Sequence, residues 1–403
     1  MILLLIGALM GLICGIISGL VPGIHTNTMA GIMAGLSPSI IPLLGTEGLA
    51  GALIVHLISQ SFHELITSTF YGIPDSGTTL SVLPAHALTL EGKGEEAVRL
   101  AALGCLYGVI LGVPVSILAY LVFSPIQTSI DWITGPFLVL VMGVVIIKED
   151  SPAWALLIFL SSGLLGLFAF RYQYLAWGLA GVSSILMPLL AGLFGLSVIL
   201  TSSHAPVPRQ RFSDIGLENG DILSASFSGT VAGLLVGWLP GLSTASANAV
   251  ITSRFSYEVH QRSYLVAAGA ATCANAVVGL AAFYGIARTR NGVMVTLASL
   301  DPPSFPILLF LLVAASVVAY MITLKLSGCV RWFSGLNGKT LNTTVAGFVI
   351  LLCGICTGPF GLFVLACATG IGMIPGLLNI SRVSCMGVVT MPVILYSLGI
   401  VGY

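Results

Sequence analysis

Four polar side chains share one side of an otherwise apolar stretch: His56, Gln60, His63 and Thr67 recur at i, i+4, i+7 and i+11. That spacing stacks them along one face of a helix. Imidazole changes charge near neutral pH, and Glu64 beside the stripe can carry a proton or pair with a cation. His63 and Glu64 are therefore candidate ion carriers; the plainer alternative is that both reach lipid headgroups at a helix end. Downstream, "YGIPDSGTTLSVLPAH" sets Asp75, Ser76, Thr78, Thr79 and Ser81 after a proline break at Pro74. Carboxylate, hydroxyl and carbonyl oxygens suit a hard cation such as sodium, and a buried carboxylate without one holds a proton instead. Ordinary turn chemistry is the alternative for Asp75. Catalytic constellations are missing: "HELIT" puts Thr67 where a zinc protease has its second histidine, and no GxSxG occurs. Cys353 and Cys356 form a lone CxxC without a partner pair. The chain reads as no enzyme, with no metal site and no cofactor beyond Na+ or H+ as a coupling ion.

A second set of polar residues interrupts two apolar runs in matching register. Glycines fall at 11, 15 and 19, followed by Pro22, Gly23 and Thr26; they fall again at 229, 233 and 237, followed by Pro240, Gly241 and Thr244, every position offset by 218. Glycine every four residues gives a helix a smooth face that another helix can approach closely. Pro-Gly then removes a backbone donor and lets the chain turn. His25, Asn27 and Thr28 crowd the first break, and Ser243, Ser246 and Asn248 the second. In hydrocarbon such groups are tolerated only around a protein-lined or wet cavity, and a helix starting after each break aims its positive dipole end at an anion. The bland reading is capping, which needs one such residue per break. Phe-Tyr-Gly-Ile recurs at 70–73 and 283–286, and the second copy leads into Arg288 and Arg290. These two cations either meet a bound anion or sit in water at the membrane edge.

The elements that position these groups follow from composition. Of 403 residues 57% are hydrophobic and only 7% charged, against roughly 25% charged in soluble domains. Such a chain cannot wet its surface. Apolar runs near bilayer length recur around 1–20, 28–44, 47–69, 97–123, 133–147, 152–170, 174–201, 223–253, 263–286, 305–327, 342–380 and 384–402. The expectation is an all-α polytopic membrane protein of about 10–12 transmembrane segments, multi-pass in the plasma membrane. The first run reads as a retained span. The matching registers predict two structural repeats with Pro-Gly-broken helices and re-entrant hairpins: 1–203 and 222–403, joined by a polar loop at 204–221. Zero net charge gives no footprint for nucleic acid. Eight scattered cysteines read as small hydrophobes.

"YGIPDSGTTLSVLPAHALTLEGKGEEAVRLAALG" resembles the hairpin of the large permease subunit of tripartite tricarboxylate transporters, the TctA family. "MPLLAGLFGLSVIL" at 187–200, "VGWLPGLSTASANAV" and "TCANAV" are similar to further segments of that family, in matching order along most of the chain. The resemblance implies an ion-coupled secondary transporter, a symporter of a small organic anion such as a carboxylate. It also implies a small membrane subunit and an extracytoplasmic binding protein as partners. Membrane lipid and a second copy of the chain, as a homodimer, are the further partners expected. Carried onto this chain, the substrate region is Pro22, Gly23, Thr26 and Asn27, then Gly72 to Thr79 (with Gly72, Pro74, Ser76 and Thr78), then Pro240, Gly241, Ser243, Thr244 and Asn275. His25 departs from the family's small residue, and "GIARTRNG" replaces Gly-Ile-Pro-Gly in the second half. The rival reading is a polyprenyl-phosphate translocase, whose cargo is a lipid headgroup; Arg288 and Arg290 suit phosphate as well as carboxylate.

Overall fold

The computed structural model describes the chain outside residues 1, 22–25, 72–81, 124, 126, 178–184, 202–207, 239–250, 252–254, 256–259, 290, 330–337, 379, 381 and 401–403. All regular elements among the described residues are helices, the form in which a membrane segment satisfies its own backbone. In chain order these are α1 (Ile2–Leu20), α2 (Thr26–Gly35), α3 (Ser37–Tyr71), α4 (Val82–Leu90), α5 (Gly94–Phe123), α6 (Gln127–Ile147) and α7 (Pro152–Arg171). They continue with α8 (Leu186–Thr201, π-helical over Ala191–Leu196), α9 (Asn219–Trp238), α10 (Gln261–Ile286) and α11 (Gly292–Ala298). The last are α12 (Phe305–Cys329), α13 (Gly338–Leu378) and α14 (Gly387–Ser397).

Among the described residues eight helices are long and apolar enough to cross a bilayer, and three shorter apolar ones cover Gly135–Ile147, Leu186–Thr201 and Arg382–Ser397. The chain is an all-α, multi-pass membrane protein. The run expected as one span at 28–44 is divided, because α2 stops at Gly35 and α3 restarts at Ser37; Pro38 cannot donate the backbone bond that continuity needs. Within α3 the chain bends at Gly45, whose φ of 68° suits glycine. A second bend at Gly358, φ 65°, divides α13 just before Pro359. There a side chain would also meet the Trp177 carbonyl.

Packing sorts the helices into two bundles, each drawing on both ends of the sequence. One holds α1 to α5 with α9 to α12; the other holds α6 to α8 with α13 and α14. At the centre of the first lies α10, whose run of alanines is enclosed on nearly every side. A helix apolar all round belongs in such a place. Both glycine stripes are explained by what they touch. Gly11, Gly15 and Gly19 of α1 press on Ala52, Ser59 and His63 of α3, while Gly229 and Gly233 of α9 press on the carbonyls of Ala267 and Ala271 in α10. On the adjacent side α10 meets Gly104 and Gly108 of α5, which lie against the Val266 and Ala270 carbonyls. The contacts cross over between halves: α3 packs on α12 as α5 packs on α10, and α4 touches α10 as α11 touches α3.

The polar connection before α9 is fastened to the first half. Arg211 N donates to Gly92 O at 2.8 Å, Gln210 accepts from Gly94 N at 2.9 Å, and the Gln210 amide donates to Thr89 O at 3.0 Å. Beneath this strap Glu96, 1% exposed, collects four donors. Arg262 Nε lies 2.7 Å from Oε1 and its Nη2 3.4 Å from Oε2; Ser213 Oγ gives 2.8 Å and Gly216 N 3.1 Å. One carboxylate thereby ties the start of α5, the connecting loop and the start of α10 together. Nothing in the sequence singled out Glu96, Arg262 or Ser213 as partners.

Candidate functional site

The polar stripe on α3 turns inward, not toward headgroups. His56, Gln60, His63, Glu64 and Thr67 are all buried. The face they share is clasped by the last turns of α1, where glycine brings the two backbones close enough for side-chain bonds to cross. Ser18 Oγ donates to Gln60 Oε1 at 3.1 Å and lies 3.1 Å from His56 Nε2. With its single hydrogen given to Gln60, Ser18 accepts the His56 N–H. One turn on, Ser59 Oγ donates to Leu12 O at 3.2 Å. Finally Thr67 Oγ1 donates to Gly19 O at 3.1 Å. A polar ladder therefore leads along α3 to Gly19 and Leu20, the last residues of α1 before the first Pro-Gly break.

A comparable arrangement marks the end of α9. Gly237 lies against the Asn275 carbonyl and Val278 of α10. Arg288 Nη1 donates to the Trp238 carbonyl at 3.1 Å, and Trp238 Nε1 donates to Gln127 Oε1 at 3.0 Å. The second copy of Phe-Tyr-Gly-Ile closes α10, as Phe70 and Tyr71 of the first close α3. Ala287 then takes φ 50°, a left-handed cap, and Asn291 Oδ1 accepts from Met294 N at 3.0 Å to start α11. That reversal is what carries Arg288 back to the end of α9. Its expected dependence on an anion gains a second partner: a helix C-terminal carbonyl, whose negative dipole end favours a cation.

A small cleft of about 10 Å³, room for about one water, is lined by Ser68 and Thr69 of α3 and by Ala268, Gly269 and Thr272 of α10. Its walls come from both halves of the chain. Thr89 of α4 donates to the Thr69 carbonyl at 3.1 Å and holds α4 beside it. Ser68, Thr69 and Thr272 were not expected from the sequence, since isolated hydroxyls in apolar helices commonly do no more than bond back to the preceding turn.

Of the residues expected at the site, Thr26 begins α2 and Asn275 is half-buried on α10. Pro22, Gly23, His25, Gly72, Pro74, Asp75, Ser76, Thr78, Pro240, Gly241, Ser243, Thr244 and Arg290, and the side chain of Asn27, lie outside the described residues. Among the described residues no group of three or more His, Cys, Asp and Glu could hold a metal ion.

Comparison with known proteins supplies the remaining context. Residues 5–387 match the sequence profile described as the Tripartite tricarboxylate transporter TctA family. An uncharacterized protein of Methanocaldococcus jannaschii is 29% identical over 376 residues, covering 89% of this chain and 91% of that protein. No solved structure matches the chain.

Proposed function

The chain belongs to the tripartite tricarboxylate transporter TctA family, and from that membership we propose that it is the large permease of an ion-coupled secondary transporter for a small carboxylate. Its role is in transport. The lipid-carrier alternative is not favoured by the family. The observation that supports the substrate class is Arg288, half-buried and turned back onto the Trp238 carbonyl at the end of α9. A guanidinium presents five donors in a fixed fork, a geometry suited to a bidentate carboxylate. The ladder on α3 supports ion coupling, since ionisable groups inside spans face pathways rather than lipid. On this reading the halves 1–203 and 222–403 are repeats, the two Pro-Gly segments line one cavity, and Na+ or H+ drives uptake. A small membrane subunit and an extracytoplasmic binding protein complete the system.

The direct test is an uptake screen in proteoliposomes with imposed sodium and proton gradients, using citrate, succinate and related acids. Uptake of none of them, in the presence of the two partner subunits, would end the carboxylate reading. Two substitutions sharpen it. Arg288→Gln should raise the half-saturating substrate concentration about tenfold, one lost charge-assisted bond, with Arg288→Lys restoring only part because it lacks the bidentate fork. Asp75→Asn or Glu64→Gln should abolish gradient-driven uptake while leaving substrate exchange intact. Unchanged ion dependence in both acid variants would remove them from the coupling step.

A further inference from the structure

Among the described residues, the buried His63 has one of its two nitrogens engaged. Nδ1 lies 2.7 Å from the Ser59 carbonyl, and a carbonyl can only accept, so Nδ1 carries the hydrogen. Ser59 Oγ, 3.4 Å from the same nitrogen, already gives its hydrogen to Leu12. The tautomer is therefore fixed, and in the neutral ring the lone pair sits on Nε2. That atom is fully enclosed and has no hydrogen-bond partner among the described residues, in a side chain that is 0% exposed. A buried acceptor left empty is costly, and such orphans call for an explanation. The helices also meet tightly here: a Cβ on Gly19 would stand 2.6 Å from His63 Cβ, so the glycine at the end of α1 is what lets α1 close on this turn of α3.

We propose that Nε2 of His63 is the proton-loading atom of the transport cycle, so that the ion coupled at this face of α3 is H+ rather than Na+. The inference rests on the transport reading and deepens it. A ring nitrogen forms a strong bond to a proton, whereas hard cations seek several oxygens. In the loading step, hydronium reaching the end of α1 gives a proton to Nε2: its O–H bond breaks to leave water, one N–H bond forms, and the ring becomes a cation still donating from Nδ1. In the release step that Nε2–H bond breaks as water on the other side takes the proton and becomes hydronium, and the ring returns to its neutral form. The titratable and charged groups on α3 and on the helices packed against it include Cys14 of α1, Glu47, His56 and Glu64 of α3, His86 of α4, Glu95, Glu96, Arg99, Cys105, Tyr107 and Tyr120 of α5, Arg262, Tyr264, Cys273 and Tyr284 of α10, and Tyr320 and Lys325 of α12. Glu64 is the carboxylate among them on the same turn as His63, so the loaded imidazolium has an anion close by in sequence. His56 differs, because Ser18 already occupies its Nε2.

The test uses the full chain reconstituted in proteoliposomes together with the small membrane subunit and the extracytoplasmic binding protein, with radiolabelled citrate and succinate as probes. Wild type should show counterflow exchange without a gradient and about tenfold faster uptake under an inward proton gradient, with a sodium gradient having no effect. His63→Asn, whose amide can still donate to Ser59, and His63→Gln should lose the proton stimulation, whereas Gly143→Ala, remote from this face, should keep both exchange and stimulation. Proton-driven uptake surviving in both His63 variants, or wild-type uptake driven by sodium alone, overturns the proposal. Lack of wild-type exchange of either probe counts against the transport reading instead. In that case 15N spectroscopy of the imidazoles decides independently: the signal missing in His63→Asn must show an Nδ1–H ring whose Nε2 takes a proton as the pH falls. A ring protonated on Nε2 when neutral, or one that stays neutral throughout, refutes it.

Discussion

Gly229→Ala and Gly104→Ala should each cost about 3 kcal/mol or more, the upper range for overpacking a tight interior, and deplete the folded protein. The added methyl meets no yielding side chain: on Gly229 it collides with the Ala267 carbonyl, on Gly104 with the Val266 carbonyl. Backbone at α10 cannot step aside, because α5 and α9 grip it from different sides. Gly143→Ala is the control, since a Cβ there meets nothing within 4 Å. That substitution should be neutral or gain up to about 1 kcal/mol from helix propensity. The monodisperse fraction and melting temperature of detergent-solubilised variants measure the contrast. Equal yields from all three would mean that the helices are not seated as closely as described.

Glu96→Gln is expected to destabilise by about 3 kcal/mol, near the lower end for breaking a buried ion pair, because Arg262 keeps 31% of its side-chain surface exposed. The amide cannot accept from Arg262, Ser213 and Gly216 together. Arg262→Gln in the same background should recover part of the loss, since the cation left unpaired is then gone; a coupling of about 1–3 kcal/mol is the expected size. Thermal unfolding of the two single variants and the double variant gives the number directly. Strict additivity would show that the pair does not fasten the strap.

The glycine register was legible from the sequence because its cause is local: one residue type at every fourth position has few uses in a membrane helix other than close approach. The ladder on α3 was legible for the same reason, as a periodicity, and its burial removes the headgroup alternative for His63 and Glu64. Glu96 was not legible. It meets Arg262 across 166 positions, and neither residue stands in a pattern, so only the fold brings them together. The count of spans was blurred where helices break without leaving the apolar region, at Gly35 and Gly45 and again at Gly358. Each break is made by a glycine with a proline nearby, a signal too common in this chain to be read alone. Arg288 was read as a cation in want of an anion; the left-handed turn at Ala287, which delivers it to Trp238, has no sequence mark.

The crossed packing of the two bundles also bears on how the protein is made. The glycine face of α5 has its partner in α10, which leaves the ribosome on the order of ten seconds later at ordinary synthesis rates. Until then Gly104 and Gly108 stand open in the lipid, and α6 to α8 wait longer still for α13 and α14. The first half is thus a nascent intermediate with two unfilled seams, the kind of substrate that an intramembrane chaperone or insertase would hold. A chain truncated after α8 should be degraded rather than accumulate, whereas supplying the two halves as separate polypeptides in one cell should restore both.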